Sequence, residues 1–247
     1  MNFELRASSF VTFCLMFMQL FGCAQNQPPT GVSDNKPLVN RVLTKKEQDK
    51  LTPDQVINIL KEGNRRFVSG TLTRRDHSKL VREAALGQFP KAVILSCLDS
   101  RVPVEDVFDR GIGDVLVTRV AGNFENTDIL GSMEFACKFS SEKLILVLGH
   151  ENCGAVKSAI DGVDVGNITP MLGNIRPAVD HFVEYDGDRT SKNEKFVHRV
   201  AEQNVWDTIV DIRKRSPILK KMEENGQIKI IGALYAMNTG EVTFFDK

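Results

Sequence analysis

Two short stretches of the chain carry the residues best suited to chemistry. Cys97 is trailed by Asp99 and Arg101 in Ser-Cys-Leu-Asp-Ser-Arg, and His150 is trailed by Cys153 in His-Glu-Asn-Cys. Two thiolates and one imidazole are soft and borderline donors, a set suited to Zn²⁺. No fourth Cys or His stands near them in sequence. A structural zinc is normally closed by four protein ligands, whereas a catalytic zinc keeps a position open. Three ligands therefore predict a catalytic site. His-x-x-Cys is a weak motif by itself. It gains weight here because each stretch ends an apolar run, and because Asp-x-Arg follows Cys97.

Residues so far apart need a scaffold that brings them together. KAVILSC (91–97), DVLVTRVA (114–121) and KLILVLGH (143–150) are short apolar runs bounded by polar residues, the pattern of buried strands. VEDVFD (104–109) is short enough for one or two helical turns, and TDILGSMEFACKFS (127–140) reads as a helix. Another helix is expected from Cys153 to about Ile160, and 168–225 is helix-rich with breaks near Gly187 and at Pro217. IKIIGALYAM (228–237) and EVTFF (241–245) read as strands joined by a turn at Asn238-Thr239-Gly240. Upstream, Thr52-Pro53-Asp54 opens a helix, with Thr as N-cap and Pro in the first turn, and Val56, Ile59, Leu60 and Phe67 recur at helical spacing. Strands alternating with helices predict an α/β fold, a mostly parallel central sheet flanked by helices. Ligands of such sheets lie beyond the carboxyl ends of the strands, and Cys97 and His150 fall at two of those ends.

The chain has 247 residues, 42% hydrophobic and 26% charged, an ordinary globular mixture long enough to bury a core without disulfides. Lys plus Arg and Asp plus Glu are 32 each, which argues against a nucleic-acid partner; RKRSPILKK reads as a solvated face. Five cysteines without a Cys-x-x-Cys pair are not a disulfide scaffold. No apolar run is long enough to span a bilayer. Residues 1–22 nevertheless stand apart. The run Phe10–Phe21 has the length of a signal-peptide apolar segment, and Leu20-Phe21-Gly22-Cys23 resembles a bacterial lipobox, in which the cysteine is lipidated. AQNQPPTGVSDNKP is polar and proline-rich, the composition of a tether. The expected organisation is a signal peptide at 1–22, a flexible tether at 23–50 and one catalytic domain at 51–247. The protein is then exported and held at a membrane only through lipid on Cys23.

SCLDSRVP (96–103) together with GHENCGA (149–155) resembles the β-class carbonic anhydrases. The similarity runs from about 52 to 246 and includes GNRRF (63–67), GQFPK (87–91), GDVLVTRVAGN (113–123), GSMEFA (131–136) and GALYAMNTGEV (232–242). The resemblance implies one zinc per chain on Cys97, His150 and Cys153, and Asp99 and Arg101 as a catalytic pair. It implies CO₂ and bicarbonate as substrates and a homodimer or higher homo-oligomer. Gln88 falls where plant-type members have a substrate-binding glutamine that reaches across the dimer interface. Leu116, Ala121, Phe135 and Gly154 fall at positions of the substrate pocket; Phe135 stands where Tyr is frequent, so a hydroxyl is missing there.

Charge then explains why an acid–guanidinium pair is useful. Zn²⁺ with two thiolates and a neutral imidazole carries no formal charge, so it acidifies water less than a three-histidine site, where the pKa is near about 7. Asp99, kept ionised by Arg101, can accept the proton of the attacking water and aim it at CO₂. Arg101 also opposes any swing of Asp99 onto the metal. Two other functions remain on the same residues: hydrolysis of CS₂ or COS, and a non-catalytic zinc-binding surface module, for which an Asp-x-Arg pair has no use. Cys137 reads as inert core, Cys14 leaves with the signal, Trp206 packs on its helix, and His77, His181 and His198 read as solvated.

Overall fold

A computed structural model describes residues 38–245; the signal segment and Cys23 lie outside them. In chain order the elements are α1 (Lys45–Asp49), α2 (Pro53–Val68), α3 (His77–Ala84), β1 (Ala92–Ser96), α4 (Val104–Val107), β2 (Val115–Arg119), α5 (Thr127–Phe135), a π-helical turn (Ala136–Ser140) and β3 (Leu144–His150). Then follow α6 (Gly154–Ile160), α7 (Ile168–Leu172), α8 (Arg176–Asp180), α9 (Glu194–Arg215), α10 (Pro217–Glu224), β4 (Lys229–Tyr235) and β5 (Val242–Phe244). The sheet runs β2-β1-β3-β4-β5, parallel except for the antiparallel β4–β5 pair.

Alternate residues of the buried strands supply two cores, as the period of two requires. Val93, Leu95, Ile145 and Val147 face α5, α9 and α10 through Met133, Val205, Ile209, Ile212 and Leu219. Ile94, Leu146 and Leu148 face α2 and α4 through Val56, Leu60, Val104 and Val107. The C-terminal hairpin is tied to α2 by Asn64, which is 4% exposed. Its amide donates to Val107 O at 3.2 Å and Gly240 O at 2.9 Å, and its Oδ1 accepts from Val242 N at 2.9 Å.

Thr52 caps α2 with a full capping box to Gln55, and Pro53 lies in its first turn, as its sequence signals require. The helix expected over 127–140 changes to π geometry after Phe135 and ends at Ser141, which has a left-handed φ of 67°. Packing also begins before the boundary placed at 51. Thr44 and Glu47 form a capping box that opens α1. Gln48 on that helix is buried and donates to Pro90 O at 2.6 Å and Ser140 O at 2.8 Å. The final part of the 23–50 segment is therefore docked, with the buried Gln48 amide bound to two backbone carbonyls. No helix among the described residues is long and apolar enough to cross a membrane.

Candidate active site

Strand register brings the two chemical stretches together. Ser96 pairs with Leu148 across β1 and β3, so Cys97 leaves its strand beside the last residues of β3, where His150 stands. After His150 the chain turns through Asn152, at φ 52°, and Cys153 becomes the N-cap of α6. Gly149 lets the site form close to α9: a Cβ there would meet Val205 Cγ2 at 2.6 Å. The donor atoms of Cys97, His150 and Cys153 all lie within 4.8 Å of one another, and the two sulfurs are 3.9 Å apart. All three side chains are buried.

The imidazole is oriented for ligation. His150 Nδ1 lies 2.8 Å from Glu151 O, and a carbonyl can only accept, so Nδ1 carries the proton. Nε2 is then a lone-pair donor, and it is buried with no hydrogen-bond partner. A buried acceptor without a partner costs about 1–3 kcal/mol. Its place between two thiols fits a metal of the zinc type, with the second nitrogen held by a carbonyl as such ligands usually are. The two thiols share their protons unequally. A hydrogen bond from Cys153, with smaller help from the Gly122 N–H, holds the Cys97 thiol below its usual range. The same bond, together with burial, pushes Cys153 up.

Asp99 stands at the edge of this cluster, 4.0 Å from His150 Nε2, beyond hydrogen-bond reach. Arg101 grips it with Nε on Oδ1 at 3.0 Å, Nη2 on Oδ2 at 2.7 Å and its backbone N on Oδ1 at 2.9 Å. That fork holds the carboxyl down at about 2. A residue not singled out from sequence fixes the loop that carries both. Arg119 closes β2 and donates to Cys97 O at 2.8 Å, Asp99 O at 2.7 Å and Val102 O at 2.9 Å. Its one sequence signal is a basic residue at the end of an apolar strand.

The other expected site residues are placed less centrally. Leu116 and Ala121 are half-buried on β2 and just after it, and Gly154 is the first, exposed residue of α6. Phe135 is 62% exposed at the end of α5 and packs on Phe139 with ring centroids 5.6 Å apart. Gln88 is exposed in the loop before β1, the opposite end of the sheet from Cys97.

Comparison with known proteins agrees with this geometry. The family described as carbonic anhydrase matches residues 92–242. The chain belongs to the carbonic anhydrase family. It is 35% identical over 192 residues to carbonic anhydrase 2 of Mycobacterium tuberculosis, covering 76% of this chain and 90% of that one. Among solved structures, a β-carbonic anhydrase of Aspergillus fumigatus superposes with a TM-score of 0.61 at 28% identity, over 69% of this chain and 82% of the other. Two tetrameric β-carbonic anhydrases of Sordaria macrospora share the fold at a TM-score of 0.61 and 24% identity, over 68% and 86% of the chains. As a member of the β class, the chain is a zinc enzyme that interconverts CO₂ and bicarbonate.

Proposed function

We propose that Cys97, His150 and Cys153 hold the catalytic zinc, and that Asp99 and Arg101 manage the proton of the attacking water. The observation that carries this reading is His150 Nε2, a buried lone pair with no partner, aimed between two thiols. Zinc held there supplies a Lewis acid that acidifies water and steadies the bicarbonate oxygens. The chain's own residues do the rest. Glu151 O fixes the imidazole tautomer, so Nε2 faces the metal position. Asp99 remains ionised and offers a carboxylate oxygen to the proton of an incoming water. Arg101 keeps that carboxylate turned toward itself and leaves the fourth metal position for substrate. Cys97 and Cys153 bring the formal charge of the loaded site to zero, which suits an uncharged substrate and release of an anionic product. Relatives named as carbonic anhydrases favour CO₂ over CS₂ or COS as the substrate.

The enzyme works as a homo-oligomer. Gln88 precedes β1 while Cys97 follows it, and the five residues between the ends of that strand span roughly 17 Å. Gln88 therefore reaches a substrate pocket in another copy rather than in its own chain. The tetrameric relatives of Sordaria macrospora support assembly of this kind. The apolar segment Phe10–Phe21 and the Gly22-Cys23 junction support export and lipidation. Purified residues 24–247 are expected to contain about one zinc per chain and to hydrate CO₂ in stopped flow. A zinc-free preparation of full activity would refute the assignment. Mass spectrometry of the N-terminus in fractionated cells tests the anchor: acylated Cys23 is expected, and an intact Met1 in a soluble fraction would remove it.

A further inference from the structure

We propose that Asn204, on α9 and outside both metal-ligand stretches, is a positioning residue that sets the donor strength of Cys97. The link between them is Gly122. Its backbone N–H donates to Cys97 Sγ at 3.3 Å. Its carbonyl accepts from Asn204 Nδ2 at 2.7 Å. Gly122 has a φ of +84°, so its two peptide groups turn to different partners, and a Cβ there would meet Ile175 Cδ1 at 2.3 Å. The peptide that carries the Gly122 carbonyl is held at two points, by Asn204 on its oxygen and by the Asn123 N–H on Val120 O at 3.0 Å. Releasing the Asn204 bond leaves that peptide pinned only through Asn123, so it can tilt about the Gly122 dihedrals and lengthen the N–H···S contact.

The helix that carries Asn204 is seated for this task. Asn204 is 2% exposed. The next residue, Val205, occupies the space opened by Gly149, one position before His150. The same turn of α9 thus packs behind the histidine and reaches over to the loop beside the cysteine. An N–H···S bond withdraws electron density from a thiolate, which makes the sulfur a weaker donor and the metal it binds a stronger Lewis acid.

The inference rests on Cys97 being a metal ligand, and cobalt distinguishes the two ideas. Cobalt-loaded parent protein should show thiolate-to-cobalt charge-transfer absorption; its absence would defeat the ligand assignment itself. In Asn204→Ala that absorption is expected to move to lower energy, because the sulfur regains electron density. The midpoint of the pH–rate profile of the zinc enzyme is expected to rise, with kcat at neutral pH falling roughly tenfold. A variant that melts like the parent, with band and midpoint unmoved, overturns the proposal. If Asn204→Ala does not fold, the unaltered protein loaded with cadmium-113 decides. The Gly122 amide proton should couple to the metal through the hydrogen bond, and no coupling overturns the proposal.

Discussion

The two ends of the central sheet hold the same kinds of side chain and treat them in opposite ways. At the carboxyl end, Cys97 and Cys153 face each other and Asp99 is gripped by Arg101. The Cys97 thiol is pulled down by its partners, and the Asp99 carboxyl is held at about 2. At the other end, just before β3, Cys137 is as buried as the two site cysteines and Glu142 is more deeply buried than Asp99. Both carboxylate oxygens of Glu142 lack a hydrogen-bond partner. Burial, opposed by its own backbone N–H and by Lys45, pushes that carboxyl up to about 7, and burial pushes the Cys137 thiol to about 12. Residue type alone is therefore not what makes a thiol or a carboxylate reactive. The difference is the partner: a hydrogen-bond donor lowers the cost of the charged form, and an apolar shell raises it.

The largest effects should separate the two ends completely. Cys97→Ser or Cys153→Ser is expected to remove zinc and abolish CO₂ hydration, measured by metal analysis and stopped flow. Cys137→Ser should keep both, at a cost of about 1–2 kcal/mol in thermal or urea unfolding for a buried hydroxyl. A Cys137→Ser protein without zinc would erase the contrast. Next in size, Asp99→Asn should retain zinc and lose roughly 10²-fold in kcat, the usual scale for a group handling a proton. Because the Asp99 carboxyl lies at about 2, it is ionised throughout the neutral range, and its titration should leave no inflection in the pH–rate profile between about 5 and 9.

Oxidation sharpens the contrast between the thiols. Chelator-stripped protein treated with a mild oxidant should join Cys97 to Cys153, whose sulfurs are 3.9 Å apart, and leave Cys137 as a free thiol. Peptide mapping would show it, and zinc should protect the pair. The smallest effect belongs to Glu142. Its folded pKa lies above the ordinary value of 4.5, so its contribution is fully present below about pH 4.5 and is lost as pH rises through about 7. Glu142→Gln should flatten that slope and stabilise the protein at pH 8 by roughly 1–3 kcal/mol, without changing kcat. An unchanged slope in Glu142→Gln would show that the carboxyl finds a partner in solution.

What could be read from sequence followed the range of the interactions involved. The clustering of Cys97, His150 and Cys153 and the pairing of Asp99 with Arg101 were legible because each stretch is local and sits at the end of a recognisable strand. The parallel sheet was legible because the KAVILSC and KLILVLGH runs are buried on both faces. Arg119 and Asn204 were not, because their partners are backbone groups 17 to 82 residues away and no side-chain pattern marks them. Nothing in the sequence around Glu142 marks it as buried. Its burial accompanies the return of α1, with Gln48 bonded to Ser140, a contact across 92 residues. The α3 helix has eight mostly polar residues, too short for its apolar period to stand out from the loop around it.

Asn64 imposes an order on the making of the protein. Its amide and carbonyl wait for Gly240 and Val242, which are 176 and 178 residues further along the chain. At a synthesis rate of about 5–20 residues per second, that is a delay of roughly 9–35 seconds. The strands carrying both parts of the metal site are finished earlier, while the seat between α2 and the terminal hairpin is still empty. While residues 229–244 are still in the ribosomal exit tunnel, the strands that carry Cys97 and His150 are made but the sheet is open along the β4 side of β3. Emergence of β4 and β5, the last strands to be made, is what completes the sheet.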